Sequence, residues 1–223
     1  MSPEGSKAKL MDLLDSDLKM EFSEQRTEET TGLYVTDLTK EPEEVARNLS
    51  NGNHVSFSNY GWGLGKSVEY NITNALKWKI KDLEDSEIAY GVREYKVCLS
   101  YVELGLAFNG SVDYLLYLKN REKIPIEIKT TSNKRYYDER VKNKERIQLM
   151  AYVVGLQAPY GVLIRINRNN GVYEMIMVAK DTELVIGHDA KVIPFWVHCR
   201  QWATRFHAER ARLSLKKEGE LSD

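Results

Sequence analysis

Apolar and polar side chains alternate along three consecutive segments in the middle of the chain. These segments are residues 90–102, 106–120 and 121–131, and a period of two is typical of β-strands. Asn120 and Arg121 lie where the second segment meets the third, and a turn is expected there. The pattern therefore predicts a meander of three antiparallel strands.

Two further alternating segments follow, at residues 160–167 and 171–179. They meet at Asn169-Asn170-Gly171, and an Asn-Gly step between alternating segments is a strong signal for a β-hairpin. The sequence therefore predicts a second pair of strands downstream of the meander.

Helical periodicity separates and flanks these strands. Apolar side chains recur at helical spacing in residues 66–83 and 146–157, and a third pattern that begins at Pro194 predicts a long amphipathic helix. The order helix, three strands, helix, two strands, helix predicts an α/β fold with a mixed sheet. The aromatic residues of the last helix are interpreted either as core, which is favoured, or as an interface between two copies of the chain. They are Phe195, Trp196, Trp202 and Phe206.

The N-terminal part of the chain is expected to be peripheral. Leu10, Leu14 and Leu18 recur at a spacing of four and predict a short amphipathic helix, and the hydrophilic stretch after it has the composition of a linker. We therefore divide the chain into an N-terminal peripheral helix and linker region, residues 1–53, and a main domain, residues 54–223.

The composition is that of a packed globular protein. Of the 223 residues, 42% are hydrophobic and 29% are charged. The longest apolar run, residues 149–156, is far shorter than the roughly 20 residues that span a bilayer, and the N-terminus has no apolar signal segment. The two cysteines, Cys98 and Cys199, cannot supply a four-cysteine site and are expected to be buried. We therefore expect an intracellular protein with no membrane partner, in the cytoplasm, or in the host cytoplasm if the chain is viral.

Charge is unevenly distributed, although the net charge is only −1. Residues 134–146 hold six bases and three acids, and residues 200–217 hold six bases and one acid. Local basic segments of this kind bind phosphate backbones, or they are solvated faces of helices. Taken singly, each segment fits both interpretations.

Three charged side chains fall on neighbouring strands of the predicted meander. Asp113 interrupts an apolar segment, where a carboxylate is costly unless it is paired, hydrogen-bonded or bound to a metal. A period of two places Glu127 and Lys129 on one face of the next strand, and antiparallel pairing brings Asp113 close to Glu127. The group is either a solvent-facing charged pair, or a site where two carboxylates bind a divalent cation and a lysine acts on water.

The order of these residues resembles the PD-(D/E)XK nuclease superfamily. The superfamily pattern is an acidic residue on one strand followed by E-x-K on the next, and this chain has Asp113 followed by Glu127 and Lys129. The RecB-like branch, which includes CRISPR-associated exonucleases and nucleases of archaeal viruses, adds a Q-x-x-x-Y motif. Gln148 and Tyr152 match that motif. The resemblance covers about residues 60–156.

The resemblance implies a restriction-endonuclease-like core, in which a central mixed β-sheet is flanked by helices. It also implies a metal-dependent deoxyribonuclease that hydrolyses phosphodiester bonds, as an exonuclease or a structure-specific endonuclease. Mg²⁺ or Mn²⁺ would be bound by Asp113, Glu127 and the Ile128 carbonyl. Lys129 would act on the attacking water, while Gln148 and Tyr152 would position the lysine and the DNA backbone.

Three departures from the superfamily pattern change these expectations. Glu69 stands in the first core helix where a histidine is common, and it is carried over as a further metal ligand. Val112 replaces a proline before the first acid. Four cysteines that hold an iron–sulfur cluster in many CRISPR-associated members are not present, so we expect no cluster. Glu94 matches a glutamate that is common upstream in this branch.

DNA, whether single-stranded, duplex or branched, is the expected partner, and a homodimer is an open alternative. Residues of the basic segment would contact phosphates, and two tyrosines within it would stack on bases if a single strand is bound. These residues are Lys134, Arg135, Tyr136, Tyr137, Arg140, Lys142, Lys144 and Arg146. Two other functions compete with the nuclease: a catalytically inactive DNA-binding protein with the same fold, and a protein–protein adaptor without metal affinity.

Overall fold

The computed structural model describes residues 33–51, 67–77, 87–101, 105–179, 181–186 and 191–220. The helix predicted around Leu14 and the domain boundary predicted at residues 53 and 54 lie outside the described residues. Among the described helices, none is both long and apolar enough to cross a membrane.

Strands and helices follow in nearly the predicted order. The chain begins with β1 and a short 3-10 helix, and then alternates helices with strands to a long final helix. The elements are β1 (Leu33–Tyr34), the 3-10 helix (Val35–Thr39), α1 (Pro42–Ser50), α2 (67–77), β2 (Ile88–Tyr101), β3 (Leu106–Leu118), β4 (Lys123–Thr131), α3 (Asn133–Tyr136), α4 (Glu139–Gly155), β5 (Tyr160–Asn167), β6 (Tyr173–Ala179), β7 (Glu183–Ile186), β8 (Lys191–Pro194) and α5 (Phe195–Glu220).

Among the described residues, six strands form a mixed sheet at the centre of the fold. β2, β3 and β4 make the predicted antiparallel meander, β5 runs parallel to β4, and β6 pairs antiparallel with β5. The turn between β5 and β6 contains Gly171 at φ 73°, a conformation that glycine adopts without a Cβ clash. The two-residue β1 pairs in parallel with β3, and β7 and β8 form a separate ribbon. The predicted α/β architecture with a mixed sheet is therefore confirmed.

Two hydrophobic cores lie on opposite faces of this sheet. The large core contains Leu163 of β5 with buried side chains of α4 and α5, and the small core contains Ile164 of β5 with Leu76 of α2. Neighbouring residues of one strand point to opposite faces, so these contacts define the two sides. The three isoleucines of β4 also belong to the small core, which leaves the other face of β4 directed towards α4.

β3 changes faces in the middle of its length. Phe108 and Val112 pack into the large core, whereas Tyr114 and Leu116 pack into the small core, although even-numbered residues of a regular strand share one face. On β2, the residue at the corresponding register position, Glu94, has φ 47°. The long β2–β3 hairpin is therefore kinked at the register position of Asp113.

The C-terminal helix α5 belongs mainly to the core. Phe195, Trp202 and Phe206 are buried in the large core, as the favoured interpretation predicted, whereas Trp196 is exposed. The expectation for the cysteines holds only in part. Cys199 is buried, but Cys98 is exposed on β2, because its position in the strand alternates with Leu99, which does face the core.

Candidate active site

Asp113 and Glu127 lie side by side at the centre of the sheet. β3 and β4 pair Tyr114 with Ile126, and this register places the two acidic residues opposite each other. Asp113 also accepts a hydrogen bond at Oδ2 from the backbone N–H of Ile128, at 2.7 Å. The pairing of β3 with β4 ends at Tyr114 and Ile126, and this bond holds the Asp113 carboxylate against β4 just beyond that point.

Glu127 is the most buried acidic side chain of this group, with 1% of its surface exposed. Its Oε1 atom accepts hydrogen bonds from Lys129 Nζ at 2.5 Å and from Gln148 Nε2 at 2.7 Å. Its Oε2 atom is buried and has no hydrogen-bond partner among the described residues. A buried carboxylate oxygen without a partner is costly, and a divalent cation would satisfy it.

The charges of this group shift one another's pKa values. Burial, and then the neighbouring Asp113 carboxylate, raise the pKa of Glu127 above its usual range, against the lowering effect of Lys129. Burial acts to lower the pKa of Lys129, but Glu127 and Asp113 outweigh it and the net direction is upward. While no cation neutralises these carboxylates, the raised pKa keeps Lys129 as an ammonium, a form that stabilises negative charge.

Tyr152 reaches the same region from α4. Its hydroxyl donates a hydrogen bond of 3.1 Å to the backbone carbonyl of Ser111, two residues before Asp113. Burial, and then the Glu127 carboxylate, raise the pKa of Tyr152. Gly110 makes room for this ring, because a Cβ there would lie 2.8 Å from Tyr152 Cε1. Tyr152 thus ties α4 to the strand that carries Asp113.

Glu69 approaches the site from α2. Its side chain is 8% exposed, and its charge contributes to the raised pKa of Glu127. No group of three histidine, cysteine, aspartate or glutamate side chains within the described ranges already stands in metal-binding positions. The chemistry of the donor set and the partnerless Glu127 Oε2 nevertheless fit a hard divalent cation. The metal-ligand roles of Asp113, Glu127, Glu69 and the Ile128 carbonyl stay predictions.

The basic segment forms α3 and the first turns of α4, directly after β4. Lys134, Arg135, Arg140 and Lys144 are exposed, and Tyr137 is 65% exposed. These side chains are accessible to a nucleic acid that runs past the end of β4.

Other residues of the basic segment are engaged inside the protein. Tyr136 is only 4% exposed, so the prediction that it stacks on bases is wrong. The Arg165 guanidinium lies over the Tyr136 ring instead, with its Cζ atom 5.1 Å from the ring centroid. Lys142 contacts Glu139 and Glu174 at 3.1 and 3.4 Å, and Arg146 donates to Asn143 at 3.2 Å. The phosphate contacts predicted for Lys142 and Arg146 would compete with these bonds.

Arg165 is a residue of this region that the sequence analysis missed. It lies on β5 opposite Lys129 and is fully buried. Its guanidinium contacts Glu145 and Glu174, each at 2.5 Å, and donates to the backbone carbonyls of Tyr136 and Arg135 at 2.6 and 3.2 Å. The signal in the sequence was an arginine between two apolar residues of a strand with buried neighbours.

Asn167 is a second missed residue, two positions further along β5. It is fully buried, and its amide donates to the Asn133 side chain at 2.6 Å. The backbone N–H of Asn133 in turn donates to Asn169 Oδ1 at 3.2 Å. β5 therefore fixes both ends of α3, which carries Lys134 and Arg135.

Comparison of the sequence with known proteins gives no match to a protein-family model or to a curated protein. Comparison of the structure with solved structures does find matches. SSO0001 aligns with a TM-score of 0.53 and 19% identity over 91% of this chain and 83% of its own. LHK-Exo, an alkaline exonuclease from Laribacter hongkongensis, aligns with a TM-score of 0.50 and 14% identity over 85% of this chain and 92% of its own.

A phage-related exonuclease from Haemophilus somnus 129PT also aligns, with a TM-score of 0.50 and 7% identity over 84% of this chain and 96% of its own. LHK-Exo has also been solved in complex with dAMP. Identities this low establish the fold and leave the activity to be argued from the site. The chain therefore has the fold of these exonucleases, as its resemblance to the PD-(D/E)XK superfamily implied.

Proposed function

We propose that the chain is a divalent-metal-dependent deoxyribonuclease that hydrolyses phosphodiester bonds. The observation that carries this proposal is how the two oxygens of the buried Glu127 carboxylate are hydrogen-bonded. One of its oxygens is held by Lys129 and Gln148, and the other is buried without a hydrogen-bond partner among the described residues, while burial and the Asp113 carboxylate raise the pKa of Glu127. A buried carboxylate with one unpartnered oxygen costs folding free energy, so a purely structural role does not explain it.

Each residue has a distinct part in the proposed reaction. Asp113 and Glu127, with Glu69 and the Ile128 carbonyl as further donors, would hold Mg²⁺ or Mn²⁺. When bound, the ion would polarise the phosphate and lower the pKa of a water. Lys129 would orient the attacking water and stabilise the negative charge that develops on the phosphate.

Gln148 and Tyr152 are positioning residues in this reaction. Gln148 holds Oε1 of Glu127, and Tyr152 holds the backbone of β3 beside Asp113. Together they fix the separation of the two carboxylates from the side of α4. Geometry held by such partners contributes to catalysis because misplacement of a reacting group costs rate steeply.

We further propose that the substrate is DNA and that cleavage proceeds from an end. Two of the three structural neighbours named above are exonucleases, and one of these, LHK-Exo, has been solved in complex with the deoxynucleotide dAMP. Lys134, Arg135 and Tyr137 of α3 and its following turn are exposed beside the end of β4. They supply the charge and the aromatic ring that a DNA backbone and its bases require.

The test is cleavage by the purified full chain with Mg²⁺ or Mn²⁺ on linear, circular and branched DNA. We expect degradation of linear DNA, none in EDTA, and none in Asp113→Asn or Lys129→Ala. Lys216→Ala, an exposed lysine on α5, is the matched control and should cleave like the parent. Metal-dependent cleavage that survives in both site variants would overturn the proposal, and salt-sensitive DNA binding without any cleavage would support the inactive DNA-binding alternative.

A further inference from the structure

On the β2–β3 hairpin, Tyr117 contacts two other tyrosines, Tyr90 and Tyr95. Tyr90 and Tyr117 are register partners, and their rings stack with centroids 4.4 Å apart and an interplanar angle of 14°. Tyr95 contacts Tyr117 edge to face, with centroids 6.4 Å apart. Tyr95 pairs with Val112 of β3. Val112 precedes Tyr117 by five residues, which is about 16 Å along a straight strand. The contact is therefore made across the kink of the hairpin.

These rings lie on the sheet face that carries the candidate active site. Tyr117 pairs with Lys123 and Leu115 with Pro125, and the next register position in that series is Asp113 opposite Glu127. Since side chains two residues apart on the regular strand β4 share a face, Lys123, Pro125 and Glu127 lie on one side of the sheet, together with Tyr117 and Leu115, the register partners of the first two. Tyr117 lies four residues from Asp113, a distance of about 13 Å along β3.

The stacked pair has one sheltered ring and one accessible ring. Tyr117 is partly buried, and burial, followed by its hydrogen bond with Tyr95, raises the pKa of Tyr117 to about 12. Tyr90 is 52% exposed although its ring is stacked on Tyr117. Tyr117 thus fixes the plane of a ring whose outer face is open to solvent.

The surroundings of this pair are basic. Lys123 Nζ lies 5.8 Å from the centroid of Tyr117. Residues 119–123, which join β3 to β4, contain three bases and one acid. An accessible aromatic ring beside a cluster of cations is the combination that binds single-stranded nucleic acid, because bases stack on the ring while cations contact the phosphates.

We propose that Tyr90, supported by Tyr117, is a base-stacking contact for a single strand of nucleic acid bound beside the β3–β4 turn. Lys123 and its neighbours would hold the backbone of that strand. The choice of nucleic acid as the ligand rests on the proposed function. The stacking geometry and the shared sheet face are independent of whether the protein cleaves its ligand.

The experiment measures equilibrium binding of the full chain, in EDTA so that no cleavage occurs, to a fluorescein-labelled 20-nucleotide oligothymidylate. We expect Tyr90→Ala to weaken binding about tenfold, the loss typical of one base–aromatic stack, and Tyr90→Phe to bind like the parent. Trp196→Ala removes an exposed aromatic side chain from α5 and is the matched control. Circular dichroism melting should show that all three variants are folded, because both replaced rings are exposed.

A second readout reports stacking directly. A single 2-aminopurine moved along the oligothymidylate should be quenched at one or two positions by the parent and by Tyr90→Phe, but not by Tyr90→Ala. Equal dissociation constants and equal quenching for parent and Tyr90→Ala would overturn the proposal, as would an equal loss of affinity for a 20-base-pair duplex, whose internal bases offer no free face. Failure of metal-dependent cleavage, by contrast, would overturn the proposed function and leave this result untouched.

Discussion

Gln148 and Lys129 share one oxygen of Glu127. The Gln148 amide donates to Oε1 at 2.7 Å and the Lys129 ammonium lies 2.5 Å from the same atom, so a residue of α4 and a residue of β4 fix one carboxylate together. The second oxygen, Oε2, is left buried and without a hydrogen-bond partner among the described residues. The orientation of the carboxylate therefore depends on the packing of α4 against the sheet.

We predict that Gln148→Met lowers the rate of DNA cleavage about 10- to 100-fold, the range typical for loss of a residue that orients a metal ligand. Methionine has a similar length but cannot donate to Glu127. Initial rates across a Mn²⁺ titration measure the effect. Gln201→Met, at an exposed glutamine of α5, serves as the control, and a Gln148→Met rate equal to that of the control would refute the positioning role.

We predict that Mn²⁺ stabilises the folded chain. An ion that binds only the folded state at 100 times its Kd adds about 2.7 kcal/mol, which for a chain of this size raises Tm by roughly 5–10 °C. Scanning fluorimetry with and without EDTA measures the shift. Asp113→Asn should show little of it, and an undiminished shift in that variant would place the ion elsewhere.

We predict that Arg165→Met destabilises the fold by about 3–5 kcal/mol, because Glu145 and Glu174 would lose the buried cation that compensates them. Arg205→Met is the matched comparison. Arg205 contacts Glu41 and Glu43 at 2.6 and 2.8 Å, but its side chain is 52% exposed, so a loss of less than about 1 kcal/mol is expected. Urea denaturation of both variants gives the two values, and similar losses would contradict the role of burial.

We predict that His198 makes the fold less stable in mild acid. Burial lowers the pKa of His198, whose Nε2 lies 2.9 Å from the Leu38 carbonyl oxygen. The unfolded chain therefore takes up a proton near pH 6.5, before the folded chain does, and stability falls as the pH drops from there through the lower folded pKa. Above pH 6.5 this contribution is fully present.

Urea denaturation at pH 7.5, 6.5 and 5.5 measures that loss. His198→Gln retains a hydrogen-bond donor but no titrating group, so its stability should fall less between pH 6.5 and 5.5 than that of the parent. His207→Gln, at an exposed histidine of the same helix, controls for the loss of an imidazole. An identical pH dependence in parent and His198→Gln would count against the prediction.

The sequence predicted the strands well because each has a face that must be buried. The alternation around Glu127 and Lys129 and the Asn-Gly turn at Gly171 are local signals that tertiary packing does not override. The fold comparison confirms the architecture. The relative positions of Asp113, Glu127 and Gln148 followed from the same alternation together with the resemblance to a nuclease motif.

Other features depend on contacts between distant segments, which the local sequence pattern does not specify. Tyr136 lies in a basic, hydrophilic stretch, yet it is buried because Arg165, on β5, requires partners in the interior. Arg165 itself stands between two isoleucines of an alternating strand, a pattern that is equally typical of a solvent-facing residue. A polar residue can be buried only where the fold supplies hydrogen-bond or ion-pair partners for it. The sequence pattern does not identify those partners.

The kink at Glu94 and Asp113 links the folding of the two cores to the assembly of the site. Val112, on one side of Asp113, packs into the large core, and Tyr114, on the other side, packs into the small core. Neither core alone fixes the direction of the Asp113 side chain. Local unfolding of either core would therefore dismantle the site before the rest of the chain melts, so that loss of activity on heating should precede the main unfolding transition.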